Sequence, residues 1–230
     1  MIKKSKINSR EDMLNCDIEH TMSVAQAQIS LVEHLVSNDI EGDIVELGCG
    51  VGLNTQYFAS VFNDFNRDNI IYGCDTFCGY TEEDLKESES KFDIRLMEGY
   101  LDNQNKKRFV VDESIIKNRM ESLGFGGITQ MIKGDIKETT KDFTPRSGKI
   151  SMLYIDCNIY GASKAGIDNL KEYFSDGCLV VVDCGFCNAP DPLVGEHEAL
   201  YEYKVESGNT LYRTHFGNYV AFFVEVLKND

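Results

Sequence analysis

Apolar side chains recur along the chain with two different periods, and these periods predict alternating helices and strands. Apolar residues from Val24 to Leu35 are spaced by three or four positions, which predicts an amphipathic helix over residues 21–36. Similar spacing predicts helices that begin near Leu53, Asp112 and Ala165, the last extending to Phe174. Short apolar runs predict five buried strands. These are Asp43–Leu47, Asn69–Asp75, Ile128–Ile132, Ile150–Ile155 and Cys178–Val182.

The order of these elements predicts an α/β fold of the Rossmann-like, doubly wound type. Strands that alternate with helices form a mostly parallel sheet covered on both faces. Two C-terminal runs, Thr210–Thr214 and Tyr219–Leu227, flank a short turn sequence and predict an antiparallel hairpin at the sheet edge. We expect an N-terminal cap region over residues 1–40 and a ligand-binding domain over residues 41–230.

Residues 79–110 interrupt the alternation of predicted strands and helices. An acidic cluster from Glu82 to Glu89 and a basic one at Lys106–Arg108 lie in a stretch without a continuous apolar face. An irregular segment of this length in a small domain is more often functional than idle. We therefore predict an insertion that forms the wall or lid of a substrate site and is mobile without ligand; a solvated surface excursion is the alternative.

The charge balance excludes several classes of partner. The chain has 230 residues and a formal net charge of −15, so its surface repels phosphate backbones and anionic lipids. We expect no nucleic-acid or membrane partner, and a small molecule instead. The basic first ten residues precede no apolar stretch, so they lack the pattern of a secretory signal. A reducing, cytoplasmic location with unpaired thiols is the resulting expectation.

Acidic residues and glycines recur at the carboxyl ends of the predicted strands. In open parallel sheets ligands bind at this edge. The residues placed there are Glu46–Gly52, Asp75, Gly134, Asp135, Asp156 and Asp183. A hydrophobic core does not require this pattern, so it indicates a ligand site.

The first of these turns carries the glycines Gly48, Gly50 and Gly52. Glycines allow a tight turn and a close approach of ligand to backbone. The spacing differs from the fingerprint of dinucleotide-binding enzymes and from a phosphate-binding loop. Asp75, at the end of the next strand, can accept hydrogen bonds from a ribose diol.

Several segments carry a resemblance to a known family. Val45–Gly52 resembles the first motif of class I S-adenosylmethionine (SAM) methyltransferases, and Cys74–Tyr80 is similar to the second-strand motif of the macrocin O-methyltransferase (TylF-like) family. Further similar segments follow that family's order over about residues 20–187. They are His20–Met22 with Gly42 and Asp43, Leu123 and Gly124 with Lys133–Thr139, Ile155–Tyr160, and Gly177–Asp183.

The resemblance implies a SAM-dependent O-methyltransferase that acts on a hydroxyl of a saccharide or sugar-bearing small molecule. It implies that Glu46, Gly48, Gly50 and Gly52 surround the methionine part of SAM, and that Asp75 holds the ribose. Thr76 and Phe77 would lie beside the adenosine, Asp135 and Ile136 would face the adenine, and Thr21 and Met22 would complete the cofactor site. An acidic site also suits cationic SAM better than anionic NAD.

The resemblance also implies catalytic residues. Asp156 would lie near the sulfonium and the acceptor as general base or metal ligand, with His20 as second candidate base. Family members that methylate sugars bind a divalent metal, for which Asp156 and Asp183 are the expected ligands here. The third acidic position is Cys184, and Asn158 stands where the family often has Asp. A thiolate is a poor ligand for Mg²⁺, so Mg²⁺ use stays open, as does assembly into a homo-oligomer.

Cysteines offer a competing interpretation. The chain has eight, and Cys184 and Cys187 form a C-x-x-C pair. Without a second such pair or a matching pair of histidines, the pattern only weakly favours a zinc or redox site. Two further functions compete with methyl transfer: a SAM-fold protein that binds its ligand without turnover, and an NAD-dependent oxidoreductase.

Overall fold

The predicted alternation of strands and helices is present in the computed structural model, which describes residues 25–80, 110–184, 195–216 and 219–227, without the side chains of 183, 184 and 213–221. The described strands form one seven-stranded sheet. They are β1 (Asp43–Leu47), β2 (Ile71–Asp75), β3 (Thr129–Lys133), β4 (Ile150–Ile155), β5 (Phe174–Cys184), β6 (Thr210–Phe216) and β7 (Tyr219–Glu225).

Helices connect these strands. They are α1 (25–37), α2 (Leu53–Asp64), α3 (Glu113–Ser122), α4 (Ile136–Thr139), α5 (Tyr160–Leu170) and α6 (Glu196–Ser207). The Asp112 side chain caps α3 by accepting a hydrogen bond from the backbone N–H of Ser114. Gly124, in the left-handed conformation, follows the end of the same helix.

The sheet has the mostly parallel arrangement that the sequence predicts, and the structure adds the order of its strands. Its strand order is β3-β2-β1-β4-β5-β7-β6. The first five of these strands pair in parallel, whereas β7 pairs antiparallel with both β5 and β6. The doubly wound α/β fold with a C-terminal antiparallel hairpin is therefore confirmed. Because β1 lies between β2 and β4, the ends of these three strands are neighbours.

Alternating side chains of the central strands fill two cores. On β4, Met152 and Tyr154 pack in one core with residues of α1 and α2, while Leu153 and Ile155 pack in the other with residues of α5 and α6. All four side chains are fully buried. Successive side chains of a strand point to opposite faces, so burial on both faces accounts for the largely apolar runs and holds the strand ends in place.

The largest differences from the predicted elements lie around Phe174 and at helix α6; the short helix α4 was also not predicted. The predicted helix over residues 165–174 begins at Tyr160 and ends at Leu170, and Phe174 belongs to β5. Phe174 is extended and packs edge-on against the Tyr203 ring, so tertiary packing overrides its helical spacing. Helix α6 was not predicted, because exposed apolar residues such as Val205 obscure its buried face.

Two predicted regions fall largely outside the described residues. Of the insertion at residues 79–110 only 79, 80 and 110 are described, and the N-terminal cap region is described from residue 25 onward. In the described part of the chain, no helix is both long and apolar enough to cross a membrane.

Candidate active site

A cavity opens at the carboxyl ends of the central strands. Its volume is about 320 Å³, at the lower end of the range of about 300–1,000 Å³ that small-molecule sites occupy. The residues that line it are Gly48, Cys49, Gly50, Val51, Leu53, Asn54, Asp75, Thr76, Gly79, Tyr80, Asp135, Ile136, Asp156, Cys157, Asn158, Ile159 and Ala162. Seven of these are predicted site residues: Gly48, Gly50, Asp75, Thr76, Asp135, Ile136 and Asp156.

The glycine loop between β1 and α2 forms the floor of this cavity. Gly48 adopts a positive φ of 86°, and a Cβ there would lie 2.7 Å from the carbonyl carbon of Asp156 and 2.9 Å from the Cα of Cys157. Gly50 also has a positive φ, of 49°, but a Cβ there would meet nothing within 4 Å. Gly48 is therefore required by the fold itself, while Gly50 leaves open space beside the cavity.

Asp75 ties the glycine loop to the end of β2. Its Oδ2 accepts a hydrogen bond from the backbone N–H of Gly50 at 2.8 Å, and its Oδ1 accepts one from Phe77 at 2.7 Å. Each carboxylate oxygen has a second lone pair. The carboxylate can thus shape the loop and also accept hydrogen bonds from a ligand hydroxyl.

We expect Asp75→Ala to weaken binding of S-adenosylhomocysteine (SAH) by about 10- to 100-fold, because hydrogen bonds to a charged group contribute about 1.5–3 kcal/mol. Isothermal titration calorimetry measures this affinity directly. Asp142→Asn is the matched control, because it also removes one negative charge but lies exposed and away from the cavity. Equal SAH affinities in Asp75→Ala and in the native protein would contradict a cofactor-binding role.

Asp156 lies directly after β4, opposite Asp75 across the glycine loop. Its backbone N–H donates to the carbonyl of Leu47 at 2.8 Å, which continues the β1–β4 ladder. Its Oδ2 accepts a hydrogen bond from Nδ2 of Asn54 at 3.2 Å. The carboxylate is part-buried and faces the cavity.

Asp135 and Ile136 occupy the turn after β3. Asp135 caps α4, because its Oδ1 accepts from the backbone N–H of Lys137 at 2.8 Å. Its Oδ2 lies 3.9 Å from the Lys137 ammonium. Asp135 thus supports the turn as well as lining the cavity, while Ile136 contributes an apolar contact surface.

Three predicted cofactor-binding residues are described but do not line the cavity. Glu46 is fully buried, and one of its carboxylate oxygens accepts a hydrogen bond from the Thr55 hydroxyl. Gly52 packs against α3, since a Cβ there would lie 2.6 Å from Ile116 Cγ2. Phe77 is buried in a small core with Cys49 and Met120. All three stabilise the walls behind the cavity.

The side chains of the remaining predicted site residues are not described. His20, Thr21 and Met22 precede the described residues, and the side chain of Asp183 is not described. The backbone register nevertheless aligns Val182 of β5 with Ile155 of β4. Asp183 and Asp156 therefore follow paired residues on neighbouring strands.

The structure adds cavity residues that the sequence reasoning did not assign to a site. Asn54, in the first turn of α2, could have been found from its position directly after the glycine loop. Asn158, noted only as a departure from the family pattern, has a positive φ of 61°. Its backbone N–H donates to the buried Glu196 at 2.8 Å, and its Nδ2 donates to the Tyr80 hydroxyl at 3.3 Å. Tyr80 belongs to the insertion that the sequence predicts as a wall of the site, and it does line the cavity, but no sequence signal links it to Asn158.

Most of the cysteines with described side chains are packing residues, while the side chains of Cys184 and Cys187 lie outside the described part of the structure. Cys49, Cys74, Cys157 and Cys178 are buried, while Cys78 is exposed. Burial raises the pKa of the Cys74 thiol to about 12, and it raises the pKa of Cys49 and Cys157 as well. Since the thiolate is the reactive form, these thiols are inert. The described residues contain no cluster of three or more metal-ligating side chains.

We expect a thiol reagent such as DTNB to modify Cys78 in the native protein much faster than Cys49, Cys74, Cys157 or Cys178. The physical reason is that burial blocks access and disfavours the thiolate. Mass spectrometry of the modified peptides identifies each site, and denatured protein gives the reference in which all thiols react. Rapid native modification of Cys49 or Cys157, which line the cavity, would show that the cavity wall opens.

Comparison with known proteins gives a family match. Residues 45–183 match the family described as "Methyltransferase domain". This range contains the glycine loop, Asp75, Asp135 and Asp156. Among curated proteins no relative matches the sequence.

Several solved structures are similar in fold. The O-methyltransferase NovP has a TM-score of 0.72 at 16% identity, over 90% of this chain and 80% of NovP. CalS11, a TDP-rhamnose 3′-O-methyltransferase in calicheamicin biosynthesis, has a TM-score of 0.62 at 20% identity, over 96% and 88% of the two chains. TomG from Streptomyces achromogenes, an O-methyltransferase in complex with SAM, has a TM-score of 0.53 at 15% identity, over 88% and 80%. At these identities the similarity establishes the fold.

Proposed function

Because this chain belongs to the methyltransferase-domain family, we propose that it transfers the methyl group of SAM to a hydroxyl oxygen of a saccharide or sugar-bearing small molecule. The observation that carries the proposal is the placement of Asp75 and Asp156 on one cavity, on opposite sides of the glycine loop. Asp75 binds the ribose of SAM and Asp156 faces the reacting atoms. The sequence motifs further support our proposal that the chain is a macrocin O-methyltransferase (TylF-like) enzyme.

The charge of the site supports SAM as the cofactor. Asp75, Asp135 and Asp156 all line the cavity, and a sulfonium cation is attracted where a pyrophosphate would be repelled. Gly50 leaves open space beside the loop, so the methionine part of the cofactor can approach the backbone. Ile136 and Ile159 supply apolar surface for the adenine.

The residues present support an in-line displacement. The acceptor oxygen attacks the methyl carbon of SAM, the carbon–sulfur bond breaks, and neutral SAH leaves. The hydroxyl proton passes to the Asp156 carboxylate, which acts as general base. Most of the acceleration comes from holding the oxygen and the methyl group in near-attack geometry.

Metal assistance is the less well supported part of the family pattern. Mg²⁺ prefers hard oxygen ligands, and Asp156 and Asp183 would provide two carboxylates. The residue after Asp183 is Cys184, and a thiolate favours softer metals. The side chains of Asp183 and Cys184 are not described, so our mechanism includes no step through a metal.

The choice of a sugar hydroxyl rests on the sequence motifs and on the similarity to CalS11, a TDP-rhamnose 3′-O-methyltransferase. The side chains of Tyr80 and Asn158, joined by a hydrogen bond at the cavity, can contact a ring and its hydroxyls. The insertion at residues 79–110 would form the remaining acceptor wall, and residues 1–40 would cover the cofactor.

Two assays test the proposal. Thermal shifts with SAM, SAH and NAD identify the cofactor, because a ligand at about 100 times its dissociation constant adds roughly 2.7 kcal/mol of stability. Radiolabelled methyl transfer from SAM is then measured with TDP-rhamnose and with a simple catechol as acceptor probes. Stabilisation by SAH with labelling of TDP-rhamnose is the expected result. Stabilisation by NAD alone would overturn the proposal, and labelling of the catechol alone would overturn the saccharide acceptor.

A further inference from the structure

Gln28 is a buried polar residue in the otherwise apolar inner face of α1. Its side chain is fully buried, as are those of its neighbours Ala27 and Val32. It does not line the cavity, and no motif of the sequence includes it. A carboxamide that is buried between a helix and the sheet requires hydrogen-bond partners. The partners of Gln28 therefore indicate its role.

Those contacts lead to the candidate active site. Nε2 of Gln28 donates to Oδ1 of Asn54 at 2.8 Å and to the hydroxyl of Tyr154 at 3.0 Å. Asn54, in the first turn of α2, in turn donates from Nδ2 to Oδ2 of Asp156. A chain of hydrogen bonds therefore runs from the core of the protein to the carboxylate at the cavity.

The direction of donation along this series of hydrogen bonds is set by the Asp156 carboxylate. An ionised Asp156 can only accept hydrogen bonds, so Asn54 must turn its NH₂ group toward it. Oδ1 of Asn54 then points toward Gln28, which must present its own NH₂ group. Gln28 has two N–H groups, and both are used, one for Asn54 and one for Tyr154. Its carbonyl oxygen has no donor among the described residues, so the contacts of the NH₂ group determine its orientation.

We propose that Gln28 is a positioning residue for methyl transfer: it fixes the amide of Asn54, which holds the Asp156 carboxylate toward the acceptor hydroxyl. The inference rests on the proposed function. Gln28 itself touches neither cofactor nor acceptor. It acts because a buried, doubly donating amide can adopt one orientation only, whereas the part-buried Asn54 could otherwise rotate.

The test uses Gln28→Met, which keeps the length of the side chain but removes both donors. We expect kcat to fall about 10- to 100-fold, because small displacements in an active site have effects of this size, while the dissociation constant of SAH stays as in the native protein. TDP-rhamnose, or whichever sugar nucleotide the native protein methylates, is the acceptor. Gln28→Asn, whose amide is one methylene too short to reach Asn54, is a second variant if Gln28→Met does not fold.

A double-mutant cycle distinguishes positioning from general support of the fold. Once Asn54→Ala has removed the intermediate side chain, adding Gln28→Met should cause no further loss of kcat. Tyr154→Phe is the comparison variant, since it removes the other partner of the same amide but keeps the Gln28–Asn54 hydrogen bond. It should lower stability and reduce kcat much less than Gln28→Met does. Additive losses of kcat, or an equal loss in Tyr154→Phe, would overturn the proposal.

A third measurement does not depend on turnover. In ¹⁵N-labelled protein the side-chain amide resonances of Asn54, assigned through Asn54→Ala, should shift much more in Gln28→Met than in Tyr154→Phe. A crystal structure of Gln28→Met should show the Asn54 amide turned away from Asp156. If the native protein methylates no probe, the proposed function fails, and these two readouts still decide whether Gln28 orients Asn54. An unchanged Asn54 amide in Gln28→Met would overturn the inference even in an active enzyme.

Discussion

Replacement of Asp156 with Asn is expected to lower the rate of methyl transfer by about 100-fold or more, because general base catalysis contributes about 10²- to 10⁴-fold. The variant should fold, since the hydrogen bond from the Asp156 backbone to Leu47 does not involve the side chain. The new carboxamide oxygen can still accept from Asn54. Proton acceptance is therefore the property that the substitution removes.

Initial rates with saturating SAM measure this effect, and two controls accompany them. SAH affinity and the thermal unfolding midpoint should match those of the native protein. Addition of EDTA to the native enzyme then separates two roles of Asp156: activity that persists supports a base, whereas activity lost and restored by Mg²⁺ would establish a metal ligand in spite of Cys184. Full activity in Asp156→Asn would remove this residue from the chemistry altogether.

Gly48→Ala is expected to destabilise the protein by several kcal/mol. A non-glycine residue at positive φ costs about 1–3 kcal/mol, and overpacking costs a similar amount of about 1–3 kcal/mol. The overpacking is severe here, because the new Cβ meets the backbone of Asp156 and Cys157. That backbone belongs to the end of a central strand, so it cannot move aside as a flexible side chain could.

Gly50→Ala is the matched variant in the same loop. It carries a similar positive φ but has open space at the Cβ position, so we expect only the conformational cost of about 1–3 kcal/mol. Its methyl group would reduce SAH affinity instead, because it points into the space that a ligand needs. Urea denaturation measures the stabilities and calorimetry the affinities. Equal stabilities for the two variants would mean that the close approach at Gly48 is easily relieved.

The central sheet was predictable from the sequence for a simple physical reason. Parallel strands buried on both faces are largely apolar, so β1 and β4 were found with their observed bounds although they contain the buried polar residues Asp43, Glu46 and Ser151. The turn after β1 was also predictable. The backbone at Gly48 approaches the backbone of Asp156 and Cys157 so closely that only glycine fits there. Asp75 and Asp156 follow from the same reasoning, since parallel strands that lie side by side end at one edge.

Helix α6 and the boundary at Phe174 were not predictable in this way. The buried residues Ala199, Leu200 and Tyr203 have helical spacing. The exposed apolar side chains of Tyr201 and Val205 obscure that spacing in the sequence. Phe174 fits a helical pattern and an extended one equally well. Its place in β5 is decided by the space beside Tyr203, which exists only after α5 and α6 have packed.

The same distinction between sequence pattern and tertiary packing applies to the side chains at the cavity. The sequence by itself determined which strands end at the site and which acids and glycines they carry, because these depend on local backbone geometry and on strand order. Only the tertiary structure decided that Glu46 and Phe77 lie behind the cavity and that Gln28 reaches Asp156 through Asn54. Those contacts join residues far apart in the chain, and their distances depend on how helices α1 and α2 pack together against the sheet, which no local pattern of residues specifies.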